Sequence, residues 1–327
     1  MVKSFLLLPA LLVMASCSTR ILSRNPSSAE LPVTTVLQLK ARLAEAKEAE
    51  VILIGEGARI DLTDEPTIRI ASPVILKGVK SADGTLPVLH HRGKPLPLLS
   101  IEAADVRIED LKFEGIETDS KKEEIIALNK KGIKGVYQFP VTRGVEVVAR
   151  GVFISGCEFS GFSHAAVFIK GDSTAYIEKS YFHHNQRWGL GYGIALHEGA
   201  QARITGNRFN WNRHSVAASG MPGQAYEADS NWFGPEHSAS PLDMHGGKDR
   251  GDGTEIAGRR VHIHHNRVLT KSVPVFIHRG VPEEEVRIEH NALAHQHESE
   301  AIGYYNGVTR NRVKGRFVFE GNEFGAD

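Results

Sequence analysis

One eight-residue phrase recurs along this chain and constrains its fold more than any other feature. It reads VRIEDLKF (106–113), VFISGCEF (152–159), AYIEKSYF (175–182), ARITGNRF (202–209), VHIHHNRV (261–268), VRIEHNAL (286–293) and FVFEGNEF (317–324). Counted from Ile154, its third position falls at Ile177, Ile204, Ala228, Ile263, Ile288 and Phe319, in steps of 23, 27, 24, 35, 25 and 31 residues. A basic rung of 23–25 residues with insertions is the period of a solenoid whose turns each add strands to long parallel sheets. Alternation places Val, Ile and Phe in the lumen and the intervening Arg, Glu and Thr in solvent. Asn207, Asn231, Asn266, Asn291 and Asn322 share one corner, where asparagine is expected to take a left-handed backbone and bond the next rung. A second strand ending at glycine follows in most rungs: AAVFIKG, YGIALHEG, HSVAASG, PLDMHG, VPVFIHRG, AIGYYNG. The expected fold is all-β, a single solenoid of about ten coils. A β-sandwich would not repeat one phrase at rung spacing.

Ahead of the rungs, residues 34–48 carry Val36, Leu39, Leu43 and Ala46 at helical spacing, with Thr34 or Thr35 as cap, and a strand VILIGEG follows. The Lys/Glu-rich insertion 119–131 is the one other segment with helical character. Residues 1–16 read as a signal peptide: Lys3, an apolar run from Phe5 to Val13 too short to span a bilayer, then Ala15 and Ser16. MASC resembles a bacterial lipobox, which implies lipidation of Cys17. Residues 17–33 are then the lipidated terminus and tether, and 34–327 the solenoid domain. Ser18 after the cysteine implies outer-membrane sorting, so a cell-envelope or secreted location is expected, with membrane contact only through the lipid. Lys plus Arg (39) equals Asp plus Glu (39), which leaves no global field for a nucleic-acid backbone. A monomer is expected. Cys157 remains as a lone thiol.

The phrase weakens between 210 and 260, and that stretch is crowded with polar groups. In a solenoid, the irregular rung with long loops is where a groove is built. Asn212, Arg213, His214, Tyr226, His237, Asp243 and His245 come from two successive rungs, which stack at about 4.8 Å. Aligning the second strands on their closing glycines gives a polar column of Lys170, Glu198, Ser219, His245, Arg279 and Asn306. The next column is Ile169, His197, Ala218, Met244, His278 and Tyr305, whose histidines read as core or groove residues. Most of the 16 histidines lie after residue 160, but His183, His184, His262, His264, His265, His290, His295 and His297 read as surface or corner residues. The functional centre is therefore expected in 212–245.

The opening LQLKARLAEAKEAEVILIGEG and the repeated IxxNxF phrase resemble right-handed parallel β-helix proteins of the pectate-lyase-like superfamily, from about Thr34 to Phe324. That resemblance implies a right-handed parallel β-helix with an N-terminal capping α-helix, and a polysaccharide ligand. Asp243-Met244-His245 resembles the D-P-H segment of alginate C5-epimerases, with methionine in place of proline. It implies proton abstraction α to a uronate carboxylate by a polysaccharide lyase or epimerase, which needs a cation, a base and an acid. Arg213 or Arg279 would clamp the carboxylate, His245 or His214 would be the base, and Tyr226 the acid. Asn212, His237, Lys170, Glu198, His278 and Arg279 would line the substrate. The alternatives are a glycoside hydrolase of the same fold or a non-catalytic carbohydrate-binding solenoid. No metal is required. Two weaker options are His237, Asp243 and His245 as a two-histidine, one-carboxylate set, and Asp249 with Asp252 as oxygen ligands for Ca²⁺.

Overall fold

The computed structural model describes residues 31–93, 97–117, 127 and 140–327. Signal peptide, Cys17, most of the tether and nearly all of the insertion 119–131 lie outside the described residues. Val33, assigned by sequence to the tether, already pairs in parallel with Ile54.

The strands form three parallel sheets, of ten, ten and nine strands, and each turn of the chain gives one strand to each sheet, except the last, which adds to the two ten-stranded sheets alone. We call them sheets A, B and C. The result is a right-handed parallel β-helix. Registers follow the repeat read from sequence: Ile154 pairs with Ile177, Ile177 with Ile204, Ile204 with Ala228, Ala228 with Ile263, Ile263 with Ile288 and Ile288 with Phe319, all in sheet A. Period-two alternation explains this, because a one-residue slip would turn every apolar side chain of a strand out of the lumen. The last apolar position of the phrase stacks as a file of rings, Phe113, Phe159, Phe182, Phe209 and Phe233, with centroids 4.7–5.1 Å apart.

The helix Val36–Glu45 starts at Thr35, whose side chain accepts from Gln38 N while Gln38 bonds back to the cap. Its Leu39 is buried, and Val36, Leu43 and Ala46 pack on the same core. Val33, just ahead of it, receives and gives backbone bonds at the strand Val51–Ile54, the first of sheet A. This end of the sheet is thereby closed rather than left as a bare edge.

The asparagine corner bonds rung to rung as expected, but its backbone differs. The left-handed residue is the one before each asparagine: Gly206, Ser230, His265, His290 and Gly321. The asparagines themselves point inward. Each Nδ2 donates to the next Oδ1, Asn207 to Asn231 (3.1 Å), Asn231 to Asn266 (3.0 Å), Asn266 to Asn291 (2.9 Å) and Asn291 to Asn322 (2.9 Å). Each also donates to a carbonyl of the preceding turn, such as Ala228 O from Asn266. Buried amides thus satisfy backbone groups that the turn leaves free.

Candidate functional site

Several of the polar groups expected from sequence gather on the outer side of sheet C. Its strands Tyr192–Leu196, His214–Ala218, Leu242–Met244 and Phe276–His278 lie in adjacent rungs. Val216, Leu242 and Phe276 share one register position and join the core, while the next position, Ala217, Asp243 and Ile277, alternates outward. Asp243 nevertheless has no solvent exposure, because its neighbours close over it.

Arg279 donates through Nε to Oδ1 (2.9 Å) and through Nη2 to Oδ2 (3.0 Å) of Asp243. His245 Nε2 lies 3.1 Å, and His214 Nε2 3.5 Å, from Oδ2. Burial alone would raise the Asp243 pKa. The two imidazoles and the Arg279 guanidinium outweigh it and hold the carboxyl well below its usual range. His214 is buried and its Nδ1 donates to Ser240 O at 2.5 Å; burial lowers its pKa to about 3, with the Asp243 charge opposing. Tyr192 stacks on His214 with centroids 5.8 Å apart, and Arg213 Nη1 reaches the Tyr192 hydroxyl at 3.5 Å. His245, its side chain 29% exposed, faces Asp249 Oδ2 through Nδ1 at 3.6 Å. One chain of contacts therefore runs Arg213, Tyr192, His214, Asp243, then His245 and Arg279.

The same face continues through neighbouring rungs. Lys170 pairs with Glu146 at 2.9 Å, Arg143 pairs with Glu146 at 2.7 Å, and Arg143 lies 3.8 Å over the Phe168 ring. His197 packs on Phe168. Of the groups expected from sequence, the structure gathers Arg213, His214, Asp243, His245 and Arg279 in one contact chain and sets Lys170 further along the same sheet.

The others are placed elsewhere. Tyr226 sits in the lumen beneath sheet A, fully buried among core residues, because its position in the phrase is an apolar column shared with Ala202 and Val261. Its hydroxyl has no partner among the described residues, so an acid role there has no route to a ligand. His278 also points into the lumen, in register with Met244 and Tyr304. Asn212 and His237 are buried at a corner: Asn212 bonds Phe182 O and receives Asn185 Nδ2, and His237 Nε2 lies 2.8 Å from the Ser215 hydroxyl. Asp249 accepts from Gly246 N, and Asp252 from Thr254 N, Thr254 Oγ1 and Arg250 Nε, which shape the turn around the short helix Gly247–Arg250. His237, Asp243 and His245 are not among the groups of three or more His, Cys, Asp and Glu that converge within 4.8 Å in the described residues.

The glycine alignment slipped in two rungs. Leu196, not His197, pairs with Ala218, and Tyr304, not Tyr305, pairs with His278. Glu198 and Asn306 take left-handed backbone (φ 56° and 59°) before the closing glycine and add one residue there. Glu198 is consequently a turn residue, while His197 and Tyr305 move to the outer column of Lys170, Ser219, His245 and Arg279. Tyr305 meets the Arg279 guanidinium, 5.2 Å from its ring centroid. Tyr192 was missed although it is in register with His214, one rung away. Gly220 shows why glycine closes the strand: with φ 73°, a Cβ there would overlap the His245 carbonyl oxygen.

Fold and site together define a parallel solenoid with a polar, aromatic strip on one outer sheet. The chain belongs to the family of the right-handed β-helix region, whose pattern matches residues 114–318. No match to the sequence is found among curated proteins. Among solved structures it is similar to the alginate lyase from Paenibacillus sp. str. FPU-7, at 15% identity over 90% of this chain and 94% of that one, with a TM-score of 0.56. It is also similar to the catalytic unit of the thermostable GH87 α-1,3-glucanase from Streptomyces thermodiastaticus strain HF3-3, at 12% identity and a TM-score of 0.50. The match covers 86% of this chain but 54% of that unit. At these identities the likeness is one of fold.

Proposed function

We propose that the chain acts on a uronate-containing polysaccharide as a lyase or C5-epimerase, on the outer face of sheet C. The observation that carries this is the contact chain from Arg213 to His245, which sets a cation, a phenol and a partly exposed imidazole along one face. The β-helix fold shared with an alginate lyase agrees with the reading by analogy.

In this scheme Arg213 neutralises the uronate carboxylate, because the Arg279 fork is already taken by Asp243. His245 is the base for the proton α to the carboxylate; ionised Asp243 on Nε2 orients the ring and stabilises the imidazolium that forms. Tyr192 replaces Tyr226 as the acid toward the bridging oxygen. For a lyase, the electron pair left by the proton forms a double bond as that oxygen departs. For an epimerase, Tyr192 donates a proton to the opposite face of the carbon while His245 keeps the one it removed, and both groups reset by exchange with solvent. The signal peptide, lipidation at Cys17 and a cell-envelope location belong to the same proposal, and Cys17→Ala should release the protein from membranes.

The test is a screen of uronic polysaccharides that follows ultraviolet absorbance, reducing ends and sugar stereochemistry together. New absorbance marks a lyase, altered stereochemistry without cleavage an epimerase, and reducing ends alone a hydrolase. In the active case His245→Ala and Tyr192→Phe should each lose about 10² or more in rate. Activity that survives both substitutions would place the chemistry elsewhere.

A further inference from the structure

On the outer face of sheet A, in the same turns as Asp243 and Arg279 but on a different sheet, histidines and carboxylates form a second cluster. Glu227 and Asp229 come from the strand Ala225–Asp229, His262 and His264 from Arg260–His264, and Glu289 from Glu285–Glu289. The strands are adjacent, with Glu227 opposite His262 and Asp229 opposite His264. Alternation puts all of these residues on the solvent side of the sheet, at the second and fourth positions of the repeated phrase.

We propose that Glu227, His262 and His264 bind a divalent transition metal such as Zn²⁺. Ligand atoms of the three converge within 4.8 Å. Glu227 Oε1 and His264 Nε2 are 3.2 Å apart, close to the ~3.4 Å that ligand atoms span around a tetrahedral ion with bonds of about 2.0–2.2 Å. The rings of His262 and His264 lie side by side, 3.9 Å between centroids.

The outer nitrogens supply the second argument. His262 Nε2 is 2.8 Å from Glu289 Oε1, which leaves Nδ1 for an ion. His264 Nδ1 is 3.3 Å from Asp229 Oδ1 and 2.8 Å from His265 Nδ1, and leaves Nε2. Each imidazole is thus oriented by a carboxylate on one nitrogen and free to ligate through the other, as metal-bound histidines commonly are. Glu289 is itself held by Arg287 at 2.7 Å. Arg203 lies 3.7 Å from Glu227 and moderates its charge. Two imidazoles with one carboxylate favour a transition metal over Ca²⁺ or Mg²⁺, which take oxygen ligands. A second group, Asp229, His264 and His265, meets at the opposite nitrogen of His264, so the two groups compete for one ring.

The experiment titrates Zn²⁺ alone into the full, chelator-treated chain by calorimetry, with Co²⁺ absorption spectra reporting nitrogen ligation. One saturable site per chain is expected. Glu227→Gln, His262→Ala and His264→Ala should each weaken it by about tenfold or more, and Glu289→Gln by less. His297→Ala, at an exposed helix cap, should bind like the parent chain. Circular dichroism checks that each variant keeps its β structure; Glu227→Gln is isosteric, so its result stands even if an alanine variant unfolds. The proposal is overturned if the folded parent chain shows no saturable Zn²⁺ site. It is equally overturned if Glu227→Gln and His262→Ala bind as the parent does, or if His265→Ala abolishes binding that Glu227→Gln spares.

Discussion

Arg279 lies across both oxygens of Asp243, and the carboxylate it holds has no contact with solvent. Such a pair is costly to break from the cation side, because the buried charge that remains has lost its partner. Arg279→Ala should therefore destabilise the chain by about 3–5 kcal/mol. Asp243→Asn removes the buried charge instead and leaves an arginine that is 17% exposed and can reach water, so it should cost less. Thermal melting of both variants at one pH checks the order. The opposite order would mean that the bidentate pair does not hold Asp243.

The asparagine ladder makes a positional prediction. Asn266 accepts from Asn231 N and Nδ2 at 2.9 and 3.0 Å and donates to Ala228 O and Asn291 Oδ1. Asn266→Ala orphans groups that are buried on both sides, at about 1–3 kcal/mol for each one left unmade. Asn322→Ala, at the partly exposed end of the file, removes the bonds to Asn291 N, Asn291 Nδ2 and Ile288 O, but Asn291 Nδ2 keeps its bond to Ile263 O. Melting midpoints should fall well below the parent for Asn266→Ala and only slightly for Asn322→Ala.

Register was legible in the sequence because every lumen position demands an apolar side chain, and the phrase shows that demand seven times over. The same logic, applied to Tyr226, places it in an apolar column; its hydroxyl suggested chemistry, but the column decided its direction. Glu198 and Asn306 were harder to read. A left-handed residue inserted before a glycine changes the spacing without changing the glycine, so His197 and Tyr305 were read one column too far inward. The contact chain around Asp243 joins four rungs, and side-chain reach between rungs leaves no trace in spacing. That is why Asp243 and His245 were legible as neighbours while Tyr192 was not.

Tyr226→Phe separates the lumen from the outer face directly. The buried hydroxyl has no partner among the described residues, and burial raises its pKa well above the ordinary value. Removing it deletes an unmet polar group, so stability should stay level or rise by about 1 kcal/mol. Any activity found on a uronic polysaccharide should persist in Tyr226→Phe and fall in Tyr192→Phe. A loss confined to Tyr226→Phe would return the acid role to the lumen residue.

His278 gives the fold an acid sensitivity of its own. It is buried between Phe276 and Phe317, and neither ring nitrogen has a partner among the described residues. Burial lowers its pKa from 6.5 to about 4, with the Asp243 charge opposing. Between those values the unfolded chain binds a proton that the folded chain refuses, so stability falls as pH drops through the window. The full loss from this one group is on the order of 3 kcal/mol, and below about pH 4 it grows no further. His164, His214 and His237, held by burial at about 3, 3 and 4, act in the same direction. His278→Met, of similar volume and without a proton to bind, should melt at or above the parent at pH 7 and lose less stability between pH 6.5 and 4. Parallel melting curves for parent and variant across that range would show that the lumen admits the charged ring.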